Sequence, residues 1–237
     1  MRIRCLVSLL FLSLMLGIGS CGKESPTSSF SIQFIDVGQG DSALVECDGH
    51  YMLIDGGDVN AGDKVYDILE EKGIQELDIL AVSHLHADHI GGLIKALTYA
   101  STIDLTISND TYSDKEIFRK FEHELSINGS KITVPEVGTK YELGSAIVEV
   151  IDICSDTAND SLVLLITYGD TQFLFTGDIE DASQTRISDK YENELDKAYD
   201  IDLIKMPHHG SYTGTLYRFL RTFMPEYAVI SVGAGNS

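Results

Sequence analysis

From Phe30 onward the chain alternates short apolar runs with polar, glycine-marked breaks. Runs at 31–37 and 42–47, around the turn GQGD at 38–41, read as two strands of a hairpin. Further strands are expected at 51–57, 77–83 and 103–108. Residues 131–137, 140–144 and 146–153 read as a run of antiparallel strands, and 161–178 as a hairpin turning at Gly169-Asp170. Two more apolar runs, 201–206 and 227–233, close the series. Helical spacing appears at 61–72, where Val65, Ile68 and Leu69 share a face and Gly73 ends the element. It recurs at 91–100, in a capped amphipathic segment at 113–129, and at 179–190 and 215–223. Hairpins mixed with strand–helix alternation predict an α/β (α+β) chain with two mixed sheets packed face to face and helices outside.

The beginning of the chain follows another rule. Arg2 and Arg4 precede an apolar run from Leu6 to about Ile18, followed by small residues. That is the pattern of an export signal, and the run is shorter than the ~20 residues a spanning helix needs. Ile18-Gly19-Ser20-Cys21 resembles a bacterial lipobox. The expectation is a leader over 1–20, lipidation at Cys21, a polar tether over 21–29, and a domain anchored at the outer face of a bacterial membrane. An ordinary signal peptide is the other reading. Of the remaining cysteines, Cys47 and Cys154 lie in strand-like stretches and read as buried free thiols.

Charge narrows the choice of partners. The 237 residues carry a formal −20, and −22 once Arg2 and Arg4 leave with the leader. An acidic surface repels phosphate backbones, so broad nucleic-acid binding is disfavoured, although a local metal site can still hold a phosphate.

The chemistry gathers at strand ends. HLHADH, residues 84–89, places three of the seven histidines and one aspartate directly after an apolar run. His84 and His86 can converge on one ion, with Asp88 and His89 facing a second. Imidazole with carboxylate suits Zn²⁺, Mn²⁺ or Fe. FLFTGDIE ends another strand in Asp178, which could bridge two ions or simply cap a helix. LIKMPHHGS ends a third with His208 and His209. On an extended backbone these project oppositely, so one ligates, with preference for His209.

HLHADH resembles the HxHxDH signature of the metallo-β-lactamase fold superfamily. That resemblance implies a four-layer αββα sandwich with a metal site at one sheet edge. More narrowly, FIDVGQGDSALVE, MLIDGG, AVSHLHADHIGGL, NDSLVLLITYGDTQFLFTGDIE and IDLIKMPHHGSYTG are similar to the hydrolase domain of the DNA-uptake competence protein ComEC and its stand-alone relatives, over about residues 31–237. The resemblance implies two divalent ions, Zn or Mn, with one ion possible. His84 and His86 would hold the first, Asp88 and His89 the second, and Asp178 would bridge. His209 or His208 would complete the second. Asp55 would orient a histidine, and Asp36 and Asp41 would lie near the site.

Two departures stand out. The superfamily's additional histidine between HxHxDH and the bridging aspartate is absent, and His123 sits in a helix and reads as solvent-facing. Asn159, Asp160 or Ser161 would face the site in its place. Relatives also continue past SVGAGNS, so the domain over 30–237 looks truncated. The implied activity is metal-dependent hydrolysis of a phosphodiester, DNA included, or of a similar anionic ester, with Asp88 accepting a proton from the attacking water. The alternatives are a non-catalytic metal- or partner-binding surface lipoprotein and, with less support, a β-lactamase.

Overall fold

The computed structural model describes residues 28–154, 159–192, 201–212 and 214–234. The export signal, Cys21 and most of the tether lie outside the described residues. Among the described residues no helix is long and apolar enough to cross a membrane.

Two six-stranded mixed sheets face each other. The first runs in the order β1 (Phe30–Phe34), β2 (Ala43–Cys47), β3 (His50–Ile54), β4 (Glu76–Val82), β5 (Thr102–Ser108) and β6 (Ile132–Thr133). The second runs β12 (Tyr227–Val229), β11 (Leu203–Lys205), β10 (Thr171–Phe175), β9 (Leu162–Tyr168), β8 (Ala146–Ile153) and β7 (Lys140–Leu143). Helices α1 (Gly62–Lys72), α2 (Ala87–Ile90), α3 (Leu93–Ala96) and α4 (Glu116–Ile127) accompany the first sheet in sequence. Helices α5 (Asp181–Glu192) and α6 (Tyr217–Phe223) accompany the second. The expected two mixed sheets with outer helices are present.

Period-two alternation explains the layering. Ala43, Val45, Met52, Ile54, Ile79 and Ala81 pack against Val148, Val150, Leu162, Leu164 and Ile166 in the layer between the sheets. The intervening Leu44, Leu53, Leu80 and Val82 turn outward onto Val65, Leu69, Leu93 and Phe121 of the helices. On the other side Val163, Leu165 and Leu174 meet Ile187, Phe219 and Phe223. Each of the larger side chains among these, fully buried, contributes roughly 1.5–3 kcal/mol. Cys47 and Cys154 are free and buried in these layers.

Local departures from the expected elements have physical causes. The helix expected over 91–100 is a single turn, α3, and another single turn, α2, precedes it. Segments this short have little helical stability of their own; Ile90, Leu93 and Ala96, all fully buried, hold them against the sheet. The strand expected over 131–137 is only β6, which ends shortly before Pro135, and it pairs parallel with β5 rather than joining β7 and β8. Pro135 cannot donate to a ladder. The 113–129 helix keeps its C-terminal cap, with Gly129 left-handed after Asn128 and Ser130 N donating to Leu125 O at 3.0 Å; at its N-terminus Lys115 makes no side-chain cap bond.

The parallel strands β3, β4, β10 and β11 end along one edge of the sandwich, where open sheets build their sites. Leu162 N donates to Ser83 O at 2.8 Å there, so the end of β4 is tied to the start of β9 in the opposite sheet. The turns beneath this edge leave no room for a side chain. A Cβ on Gly92 would lie 2.0 Å from the carbonyl oxygen of Gly56. Gly92→Ala should therefore destabilise the protein by about 1–3 kcal/mol through overpacking, read as a lowered urea midpoint; an unchanged midpoint would refute the tight approach.

Candidate metal centre

Five loop segments deliver the site. Asp41 follows the β1–β2 turn. Asp55 leaves β3 with a φ of 54°, a left-handed conformation that aspartate tolerates better than most residues. Ser83 through His89 follow β4. Asp178 follows β10 after Gly177 (φ 52°), where a Cβ would lie 2.5 Å from the Ser161 side chain. His208 and His209 follow β11, both left-handed at φ 45° and 55°. Two successive non-glycine residues there store backbone strain of order 1–3 kcal/mol each. Backbone bonds from His208 N to Gly177 O (3.1 Å) and from Ser211 N to His208 O (2.9 Å) hold the turn.

Side chains of Asp88, His89, Asp178 and His209 each offer a ligand atom within 4.8 Å of the others. Asp178 Oδ2 lies 3.2 Å from His209 Nε2, 3.3 Å from His89 Nε2 and 3.9 Å from His84 Nε2. His209 Nε2 is 3.4 Å from Asp88. His84 Nε2 faces His86 Nδ1 at 3.0 Å, so this pair converges beside the four.

The opposite ring nitrogens are already engaged, which selects the tautomers. His89 Nδ1 is 2.9 Å from Asp55 Oδ2, and Asp55 also accepts from Ser83 N and Ser83 Oγ, both at 2.7 Å. His209 Nδ1 donates to the carbonyl of Ser231 at 2.9 Å. His84 Nδ1 lies 3.1 Å from Ser83 Oγ. Three Nε2 atoms are thereby turned toward Asp178, the arrangement in which an imidazole ligates while its other nitrogen is pinned.

The electrostatics fit a cation. Burial opposes charge on His89, but Asp55 and Asp178 outweigh it and lift its pKa to about 10. Burial likewise opposes charge on His209, and Asp178, Asp41 and Asp88 raise it to about 11. Desolvation and the neighbouring His89 push His84 well below the ordinary range, leaving a neutral ring. Asp88 is held far below the usual carboxylate range by His209 first of all. His209 Nε2 and Asp178 Oδ1 are buried without a hydrogen-bond partner. Buried donors and acceptors without partners are costly, and a divalent ion among these imidazoles would give His209 Nε2 a partner, while Asp178 Oδ1 has the ammonium of Lys205 3.8 Å away.

The remaining sequence candidates separate clearly. Asp41 is buried in the site, paired with Lys205 and 3.5 Å from His209 Nδ1. Asp36 is exposed; it accepts from Gly38 N within its own turn and lies 3.8 Å from Lys64. His208 turns away, with Nδ1 3.2 Å from Glu180 and 3.4 Å from Ser211 Oγ. The divergence of the two histidines arises from a left-handed turn, not from the extended backbone the sequence suggested. Ser161 reaches the site: its Oγ accepts from Asp178 N at 2.9 Å and lies 3.4 Å from His84 Nδ1. Asn159 instead donates to Glu180 at 2.9 Å, and Asp160 accepts from Ser183 Oγ at 2.9 Å. His123 is exposed on α4.

Sequence reasoning missed Lys205 and Ser83. Lys205, 3 % exposed, donates to Gly177 O at 3.2 Å and lies 3.8 Å from Asp178 Oδ1. Its signal was a lone lysine inside the apolar run that leads into the histidine pair. Ser83 links Asp55, His84 and His89, and nothing distinguishes it in sequence except its place before the motif.

Residues 35–234 match the Metallo-beta-lactamase superfamily. The chain belongs to that superfamily. Within it, the chain is 27 % identical over 235 residues to ComE operon protein 3 of Bacillus subtilis, covering 89 % of this chain and 29 % of that protein. It is 26 % identical over 226 residues to competence protein ComA of Neisseria gonorrhoeae, covering 94 % and 30 %. The chain thus spans under a third of the length of these curated relatives. Among solved structures, the metallo-beta-lactamase fold protein YhfI from Bacillus subtilis superposes with a TM-score of 0.56 at 14 % identity, covering 87 % of this chain and 89 % of that one. The diiron beta-hydroxylase CmlA from Streptomyces venezuelae superposes with 0.54 at 14 % identity, covering 84 % and 44 %. At such identities these likenesses establish the fold alone.

Two expectations follow from this superfamily member's site. Loading a divalent ion must displace the protons on His89 and His209. Their pKa values lie above neutrality, so affinity rises with pH and falls as pH drops from about 9 to about 6. Titration calorimetry in buffers of different ionisation enthalpy reads the release; a buffer-independent enthalpy would contradict it. Asp55→Asn keeps the shape but loses the carboxylate behind His89, and should weaken metal binding by about 10–100-fold; unchanged affinity in the same titration would remove Asp55 from the role.

Proposed function

We propose that this chain is a metal-dependent hydrolase that cleaves a phosphodiester or a similar anionic ester. The observation that carries the reading is the convergence of Asp88, His89, Asp178 and His209, with the histidine Nε2 atoms turned inward. The similarity to competence proteins supports a phosphodiester, nucleic acid included, while the net charge of −20 favours a small substrate over a long polyanion. A divalent ion held by these residues would lower the pKa of a bound water and stabilise charge at the attacked centre.

The chain's own contribution is positioning and proton handling. His89 and His209 are oriented by Asp55 and by the Ser231 carbonyl. Asp88 is the most open member of the cluster, its side chain 33 % exposed, against 3–4 % for Asp178 and His209. A carboxylate with that access can reach the attacking water and accept its proton; His209 keeps Asp88 ionised but lowers its basicity, so the activation of the water falls to the ion. Zn²⁺ and Mn²⁺ both match the donor set, and one or two ions are compatible with it.

A second reading, a surface lipoprotein that only binds metal or a partner, draws on one observation. Ser161 stands beside His84 where the superfamily usually supplies another histidine. In either reading we propose export and a lipid anchor at Cys21, supported by the basic leader, its short apolar run and the lipobox-like residues.

Hydrolysis of bis(p-nitrophenyl) phosphate separates the two. Metal-stripped protein titrated with Mn²⁺ and with Zn²⁺ is expected to gain activity. Asp178→Ala should lose at least the 10–100-fold that supporting residues alone command. Folded protein that binds either ion yet cleaves neither this ester nor a dinucleotide would favour the binder.

A further inference from the structure

The position of Lys205 has a consequence for how Asp178 can ligate. Lys205 is the last residue of β11, aligned with Phe175 of β10, one strand over. It is 3 % exposed and its ammonium pairs with the buried Asp41. The same ammonium donates to the carbonyl of Gly177 at 3.2 Å, the peptide that immediately precedes Asp178. It also stands 3.8 Å from Asp178 Oδ1. On the other side of the carboxylate, His84, His89 and His209 all approach Oδ2. The two oxygens therefore face different neighbours: a fixed ammonium for Oδ1, imidazoles for Oδ2.

We propose that Lys205 makes Asp178 a one-oxygen ligand, by gripping its preceding carbonyl and occupying the Oδ1 side so that only Oδ2 faces bound ions. The inference rests on the reading of Asp178 as a metal ligand and deepens it. Lys205 is a positioning residue here, since it acts through Asp178 and touches neither ion nor substrate. A carboxylate confined to one oxygen suits four-coordinate Zn²⁺. Larger, oxygen-seeking ions such as Mn²⁺ or Ca²⁺ gain more from a chelating carboxylate. Lys205 thereby biases the site against them.

Removing Lys205 alone would leave Asp41 buried without its partner, so the informative variant removes both charges, Asp41→Asn with Lys205→Met. Exchanging a whole buried pair is far better tolerated than breaking one, and it leaves the local net charge unchanged. The measurement is the ratio of Mn²⁺ to Zn²⁺ affinity in wild type and double variant, by competition titration. A general loosening of the fold lowers both affinities and leaves the ratio in place. Freeing Oδ1 should raise the ratio by about tenfold, the lower end of what partners behind a metal ligand command. A ratio unchanged within about twofold in a folded double variant would overturn the proposal. Independently of any variant, a crystal structure of the Mn²⁺-loaded wild type should place Oδ1 beside Lys205 and only Oδ2 on metal; chelation through both oxygens would overturn it too. Wild-type protein that takes up neither ion would refute the metal reading itself, and this inference with it, before any variant is made.

Discussion

Three carboxylates, Asp41, Asp55 and Asp178, are each at most 6 % exposed and lie at one edge of the sandwich. Taking that many negative charges out of water is costly unless cations meet them. The rest of the edge answers this constraint. Lys205 meets Asp41, His89 meets Asp55 and Asp178, and His209 is drawn toward all but Asp55. Two histidines are held positive in the metal-free chain because the carboxylates require it, and the same excess of negative charge is what attracts a divalent ion. The preference for metal and the perturbed proton affinities are one electrostatic fact seen with two different cations.

Holding these groups so close demands unusual backbone. Asp55, Gly177, His208 and His209 all adopt left-handed conformations at the strand ends. Each redirects the chain within a residue or two, so that a side chain points along the sheet edge rather than across a face. The strain at the histidine pair is tolerated because Gly177 and Ser231 grip it from neighbouring strand ends. Beneath them the glycines at 56 and 92 let the first sheet's loops stack at backbone contact. Regular, well-packed sheets thus carry an irregular rim, the usual division between scaffold and chemistry.

Much of this was legible in the chain itself. The strands showed as short apolar runs between glycine-marked breaks, and HLHADH announced itself because ligand-type residues rarely crowd behind a buried run. Membership of the superfamily and the two-sheet architecture followed from those motifs. What escaped had a physical reason in each case. A lysine in an apolar strand looks like a solvent-facing alternate until the opposing sheet is known to bring Asp41 against it. Asp36 and Asp41 belong to one turn, and only the fold sends one outward and the other inward. Ile132 and Thr133 read as the start of a meander, yet pairing partners are chosen by tertiary packing, and they join β5. Asn159, Asp160 and Ser161 were equivalent candidates because a three-residue window cannot reveal which one points beneath His84.

The contact of His209 with Asp41 ties together segments that lie far apart in time during synthesis. The site's earliest contributor is Asp41, and its orientation is completed by a residue 190 positions later. A nascent chain can build the first sheet and its helices, with HLHADH in place, well before Asp178, Lys205, His209 or Ser231 have emerged. During that interval Asp41 and Asp55 have neither the lysine nor the second histidine to balance them. Maturation of the centre is therefore a late, long-range event, and a partly synthesised chain holds only half of the charges that make it selective.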